Sequence, residues 1–247
     1  MSRSLNSVKA ILKRELLSYF YSPTAYVVLV VFLILQGFFT FYVGGFYESG
    51  QAELSLFFTW HPWIFLFLAP SVTMRLFSDE KRTGTIELLM TFPVTPAEIS
   101  AAKFLAAWIF ISIGIFLTFP VVITAYYLGS PDTGAIISGY IGSFLMAGSL
   151  ISIGCFASSI TKSQVIAFLT ASSFSLFLIL AGHSPVIQAA SGIFPKIIVN
   201  FISEMSILTH FKSLTKGIID LRDIIYFLSI IIFMLFLNTS AINSNSK

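Results

Sequence analysis

SVTMRLFSDEKRTGTIELLMTFPVTPAEISAAK, residues 71–103, decides how the rest of the chain must be read. Asp79, Glu80, Lys81, Arg82 and Glu87 fall within one short run of it. A single charge at the centre of a bilayer costs roughly 2.5–3.5 kcal/mol on insertion scales. This block therefore belongs in water or against another protein. The sequence on either side is apolar over lengths that suit a membrane span. The block is a loop between two spans.

The composition agrees. Of 247 residues, 56% are hydrophobic and 10% charged, with mean hydropathy +0.91. Soluble domains carry about 25% charged residues, so this is an integral membrane protein. A net charge of +3 in such a chain reflects loop asymmetry and gives no reason to expect nucleic acid as a partner. The one cysteine, Cys155, lies in an apolar run and makes neither an internal disulfide nor a metal site.

Outward from the loop, the chain reads as a single all-α membrane domain over 1–247 with six spans. The expected spans are 25–46, 57–77, 104–128, 135–160, 165–181 and 224–238. Residues 1–22 precede them. Leu5, Val8, Leu12, Leu16 and Tyr19 recur there at helical spacing, with Lys9, Lys13 and Arg14 on other faces. That pattern predicts an amphipathic helix in the headgroup layer, ended by Ser22-Pro23. The first apolar run, from Ala25, is longer than the core of a signal peptide and reads as a retained span. Pro70 is expected to kink the second span, and Ser71 to about Arg82 to carry its helix out of the bilayer. The fourth span is rich in Gly, Ala and Ser, which lets helices approach closely in lipid.

Lys and Arg crowd the leader, the loop between spans two and three, and the turn at Lys162. The loops after spans one and three have none. The positive-inside rule then places both termini and the 71–103 stretch in the cytoplasm. Residues 182–223 break the rule with Lys196, Lys212, Lys216 and Arg222. Ile198, Phe201, Ile202, Met205 and Leu208 sit there at helical spacing, which predicts one or two helices in the outer leaflet or lining an outer mouth.

Within the loop, Gly84 breaks the emerging helix. A short helix over 83–92 restarts at Thr85, with Gly84 as N-cap, Glu87 in the first turn and Pro93 as the stop. Thr95-Pro96-Ala97-Glu98 matches a capping box with proline at the first helical position. On physics alone, the short helix is either an ordinary charged loop or a docking element for a partner.

The chemistry that is missing narrows the function. The chain has no G-x-x-x-x-G-K-[ST] phosphate loop and no H-E-x-x-H. His61, His183 and His210 stand apart in sequence, so neither a metal site nor a catalytic set is expected. Spans three to five carry no Asp, Glu, Lys or Arg at mid-depth, which argues against ion-coupled carriage. Any energy must be delivered from outside the membrane. A membrane-embedded hydrolase and a pore or secondary carrier are the rival classes.

Glu80-Lys81-Arg82-Thr83-Gly84-Thr85-Ile86-Glu87-Leu88-Leu89, followed by Pro93-Val94-Thr95 and Lys103, resembles the signature of ABC-type exporter permeases of the second type. His210-Phe211, Lys216-Gly217-Ile218-Ile219-Asp220 and Arg222 to Tyr226 are similar to the short permeases of the gliding-motility-associated and nitrous-oxide-reductase-maturation branch. The resemblance implies a prokaryotic inner-membrane protein that is not itself an enzyme. It implies a separate ATP-binding subunit, with ATP and Mg bound there and no cofactor on this chain. It implies a second permease chain, identical or related. It makes 83–92 a coupling helix and singles out Glu80, Lys81, Arg82, Gly84, Thr85 and Glu87 for contact with the ATPase, with Lys9, Lys13 and Arg14 on the interfacial helix. A family member that powers an envelope assembly without moving a solute is a further alternative. The cargo is not legible.

Overall fold

Proline and small hydroxylated residues punctuate the chain, and the helices follow that punctuation. In the computed structural model, residues 2–48, 53–85, 94–192 and 194–244 are described, and every element among them is helical. Helix α1 (Ser2–Tyr21) stops at Ser22, and Pro23 opens α2 (Pro23–Gly37), which runs on as a π-helical segment (Phe38–Val43). Next come α3 (Ser55–Thr59), α4 (His61–Thr73) and α5 (Ser78–Thr83). Helices α6 (Pro96–Leu117) and α7 (Phe119–Leu128) form one bent apolar length. Helix α8 (Thr133–Ser159) is capped by Asp132, which accepts from the Gly134 and Ala135 amides. Helix α9 (Gln164–Leu180) is followed by three short helices, α10 (Ser184–Ser191), α11 (Lys196–Glu204) and α12 (Ile207–Thr215), and then by α13 (Leu221–Ser244).

Four lengths are long and apolar enough to cross a membrane: Pro23–Val43, Pro96–Leu128, Thr133–Ser159 and Leu221–Ser244. The pair α9 and α10, bent by 71°, makes a fifth if counted as one span. The expected span over 57–77 is divided. Pro62 has no N–H to offer the Phe58 carbonyl, so the helix breaks between Thr59 and His61 and restarts with proline in its first turn. The expected run of helix from Ser71 to Arg82 is divided as well. Helix α4 ends at Thr73, three residues past Pro70, and residues 74–77 form a turn before α5. Segment 182–223 holds three helices rather than one or two.

Helix α8 is the centre of the bundle, packing against α4, α6, α9, α12 and α13. Small residues make that possible. A Cβ at Gly139 would lie 2.4 Å from the Phe58 ring, and one at Gly154 would lie 2.0 Å from Thr73 Oγ1. Both neighbours approach closer than any side chain would allow, as expected where helices associate without a hydrophobic drive in lipid. By contrast α2 and α13 bury few of their side chains, and their Val, Ile and Phe residues face outward. Helix α1 packs along α6. Tyr19 stacks on Phe110 with ring centroids 4.8 Å apart, and Ile11, Leu12 and Leu16 lean on the same core.

Candidate functional site

The break between α4 and α5 leaves backbone groups without helical partners, and two other helices supply them. Ser158, near the end of α8, accepts from the Phe77 and Ser78 amides at 3.1 Å each and donates to the Met74 carbonyl at 3.0 Å. Lys103, on α6, donates from Nζ to the Leu76 carbonyl at 2.7 Å. The turn is held from both sides. That accounts for a stable break where continuous helix is expected, since a buried orphan amide or carbonyl costs about 1–3 kcal/mol.

Lys103 does more than this. Its side chain is 2% exposed, and Nζ also bonds Glu80 Oε1 at 2.8 Å and faces Glu15 Oε1 at 3.3 Å. It lies 5.2 Å from the centroid of the Phe77 ring. Arg14 reaches the same two carboxylates, Glu15 at 2.6 Å and Glu80 at 3.4 Å. The junction thus ties α1, α5 and α6 through two carboxylates and two cations. Burial pushes the Glu15 carboxyl up, but Lys103 and Arg14 outweigh it and hold the group below its ordinary value. The hydrogen bond to Glu15, reinforced by Glu80, holds the Arg14 guanidinium above its own.

The start of α9 closes the same corner. Gln164 donates to Asp79 at 2.5 Å, and Asp79 also pairs with Arg82 at 3.4 Å. Burial lowers the Lys81 ammonium, and the nearby charge of Lys162 lowers it further. Gly84 follows at φ 72°, a left-handed residue that ends α5 as its C-cap. Gly84 thus stands both at the end of α5 and directly before the helical residue Thr85. Its conformation suits glycine and strains other residues. Thr85 is exposed and shares a hydroxyl contact with Thr83 at 2.9 Å. Glu87 and most of the expected coupling helix, residues 86–92, lie outside the described residues, as does Pro93. Past them, the capping box is complete. Thr95 Oγ1 accepts from the Glu98 amide at 3.3 Å, and Glu98 Oε2 accepts from the Thr95 amide at 2.9 Å.

Of the residues singled out from sequence, the structure brings together Glu80 and Arg14, while Arg82 pairs with Asp79 instead. Lys9 and Lys13 stay exposed and apart from the junction. Sequence reasoning missed Glu15, Ser158 and Gln164, and saw Lys103 only as part of a motif. A lysine at the very edge of a predicted span, with acids in both neighbouring segments, was the available signal.

A second polar set joins the short helices to α13. His210 Nδ1 meets Asp223 Oδ1 at 2.6 Å and its Nε2 meets the Glu204 carbonyl at 2.9 Å. Ser213 donates to Asp223 Oδ2 at 2.5 Å, Arg222 pairs with Glu204, and the His210 and Tyr226 rings stack at 3.9 Å. Asp223 sits between the serine and the histidine, so Ser213 does not touch an imidazole and cannot be activated by one. Elsewhere His61 Nδ1 lies 3.0 Å from Ser143 Oγ, but that hydroxyl already donates to the Gly139 carbonyl and both residues are fully buried. Neither arrangement is a nucleophile and base. Among the described residues no cluster of His, Cys, Asp or Glu could hold a metal.

Residues 9–242 match the family described as ABC-2 family transporter protein. The chain belongs to the ABC-2 transporter family. No curated protein matches it. The match spans the junction, the bundle and the short helices α10 to α12 together, so the chain is a multi-pass membrane permease component of an ABC transporter. Membership implies association with an ATP-binding subunit, and a part in transport that is typically non-catalytic.

Proposed function

We propose that this chain is the membrane half of an ATP-driven exporter, energised through the corner formed by α1, α5 and α6. The observation that carries the reading is Lys103, buried among Glu15, Glu80 and the Leu76 carbonyl. It ties the interfacial helix, the loop and a long apolar helix at one point. A force applied to the loop is then felt by α6 and α1 without any helix having to bend. In this reading Glu80, Lys81, Arg82, Gly84, Thr85 and Glu87 face the ATPase. Glu87 and Arg82 supply polar contact, Gly84 supplies the stop, and Glu80 anchors the loop. The corner and both termini lie in the cytoplasm, the membrane is a prokaryotic inner membrane, and two permease chains serve one complex. The charge pattern of the leader and loop and the sequence resemblance support this placement. The same resemblance supports the gliding-motility-associated branch.

The test is purification with the neighbouring ATP-binding chain and measurement of its ATPase rate. Wild type is expected to stimulate that rate, and Glu87→Lys to lower stimulation at least tenfold while the complex still forms. If no ATP-binding chain co-purifies, or if Glu87→Lys stimulates like wild type, the coupling assignment is wrong.

A further inference from the structure

Beside the junction lies a cavity of about 190 Å³, lined by Ser18, Tyr19, Ser22, Arg75, Asp79 and Lys103 among others. Its charges can be followed one by one. Glu15 and Glu80 share Lys103 and Arg14, and Asp79 has Arg82 and Gln164. Arg75 is left over. Among the described residues its half-buried guanidinium has neither a carboxylate nor a carbonyl partner. The Ser18 and Ser22 hydroxyls line the same space, and Ser22 makes no capping bond to α2.

The position says what such a site meets. Ser22-Pro23 is the elbow where amphipathic α1 gives way to apolar α2. Phe20, Tyr21 and Tyr26 are exposed around it, and Tyr21 is 82% exposed. Aromatic side chains gather at headgroup depth in membrane proteins. A planar guanidinium offers only donors, and the two hydroxyls of the same cavity can each add one, as the oxygens of a phosphate require. Basic pockets between helices at this depth take anionic headgroups.

We infer that Arg75, Ser18 and Ser22 form a binding site for a phosphate group, presented by the headgroup of an anionic phospholipid at the α1–α2 elbow. The site neighbours the proposed coupling corner but does not depend on an ATPase docking there.

The full chain, delipidated in detergent, is titrated with phosphatidylglycerol and separately with inorganic phosphate, and bound ligand is counted by native mass spectrometry. Wild type is expected to hold one phosphatidylglycerol more tightly than the rest. Arg75→Ala is expected to weaken that lipid about tenfold, the loss of one charge-assisted contact. Arg75→Lys should keep most of the affinity. Ser18→Ala with Ser22→Ala, which leaves the arginine in place, should weaken it about threefold and serves if Arg75→Ala does not fold. Binding of inorganic phosphate alone, with the same dependence on Arg75, would leave the phosphate site standing and assign it to a free anion. Lipid and phosphate binding that are both indifferent to Arg75 and to the serines would overturn the inference.

Discussion

Replacing Lys103 by methionine keeps most of the length of the side chain and removes its charge. The ammonium now bonds a backbone carbonyl and one carboxylate and faces a second, from a side chain 2% exposed. Without it, the Leu76 carbonyl loses its partner. Glu15 and Glu80, with side chains 13% and 18% exposed, are left with Arg14 alone. Removing one member of a buried pair costs about 3–5 kcal/mol, most of it the penalty on the charge left behind. For a chain of this size that is on the order of 10 °C in melting temperature. The protein carries its own reporter, since Cys155 is buried and is the one thiol. A thiol-reactive dye will report unfolding as Cys155 becomes accessible. Adding Glu80→Gln to Lys103→Met should restore part of the loss, because it removes a stranded charge. Arg82→Ala, at an ion pair with the arginine 65% exposed, should cost under about 1 kcal/mol. If Lys103→Met melts within a degree or two of wild type, the junction does not brace the corner.

Ser158→Ala strands the Phe77 and Ser78 amides, and faster hydrogen exchange at those two residues is expected, with a loss of about 1–3 kcal/mol. Gly84→Ala forces a side chain into φ 72° and should cost about 1 kcal/mol without a steric clash, since nothing lies within 4 Å of the new Cβ. ATPase stimulation of the complex, measured beside its melting temperature, should fall more than that small loss explains. Gly154→Ala drives a methyl into Thr73 and is expected to destabilise by about 1–3 kcal/mol, with Thr73→Ala relieving part of it. Glu15 is held below its ordinary value of 4.5, so the stability it contributes is present above that pH and is lost as pH falls through its lower folded value. The melting gap between wild type and Glu15→Gln should therefore be steady near neutrality and narrow below about pH 4.5.

Much of this was legible in the residues because the signals are local. Ser22-Pro23 ends one helix and opens the next, Asp132 and Ser163 cap theirs, and Thr95 with Glu98 closes its box, each through neighbours a few positions apart. The apolar lengths follow from hydropathy in the same way. The interruptions were harder. Pro70 announces a defect in a helix, but the turn at residues 74–77 persists because Ser158 and Lys103 satisfy it, from 81 and 27 positions away. No spacing rule connects such residues. In the sequence Glu15 is one charge among several on the leader, and only the packing of α1 along α6 sets it facing Lys103. The pairing of His210 with Asp223 was hidden for the same reason, because a chain reversal lies between them.

Helix α8 has one further consequence. Its 27 residues make a rod about 40 Å long. Near one end Ser158 grips the turn beside the charged corner, and towards the other Gly142 lies under Leu214 of α12. An α-helix hardly changes length under load, because every turn is already closed by its own hydrogen bonds. Whatever pushes one end of this strut along its axis must displace the other by nearly as much. The helices that lean on it receive that shift together, so the two ends of the bundle keep time mechanically, whatever the cargo.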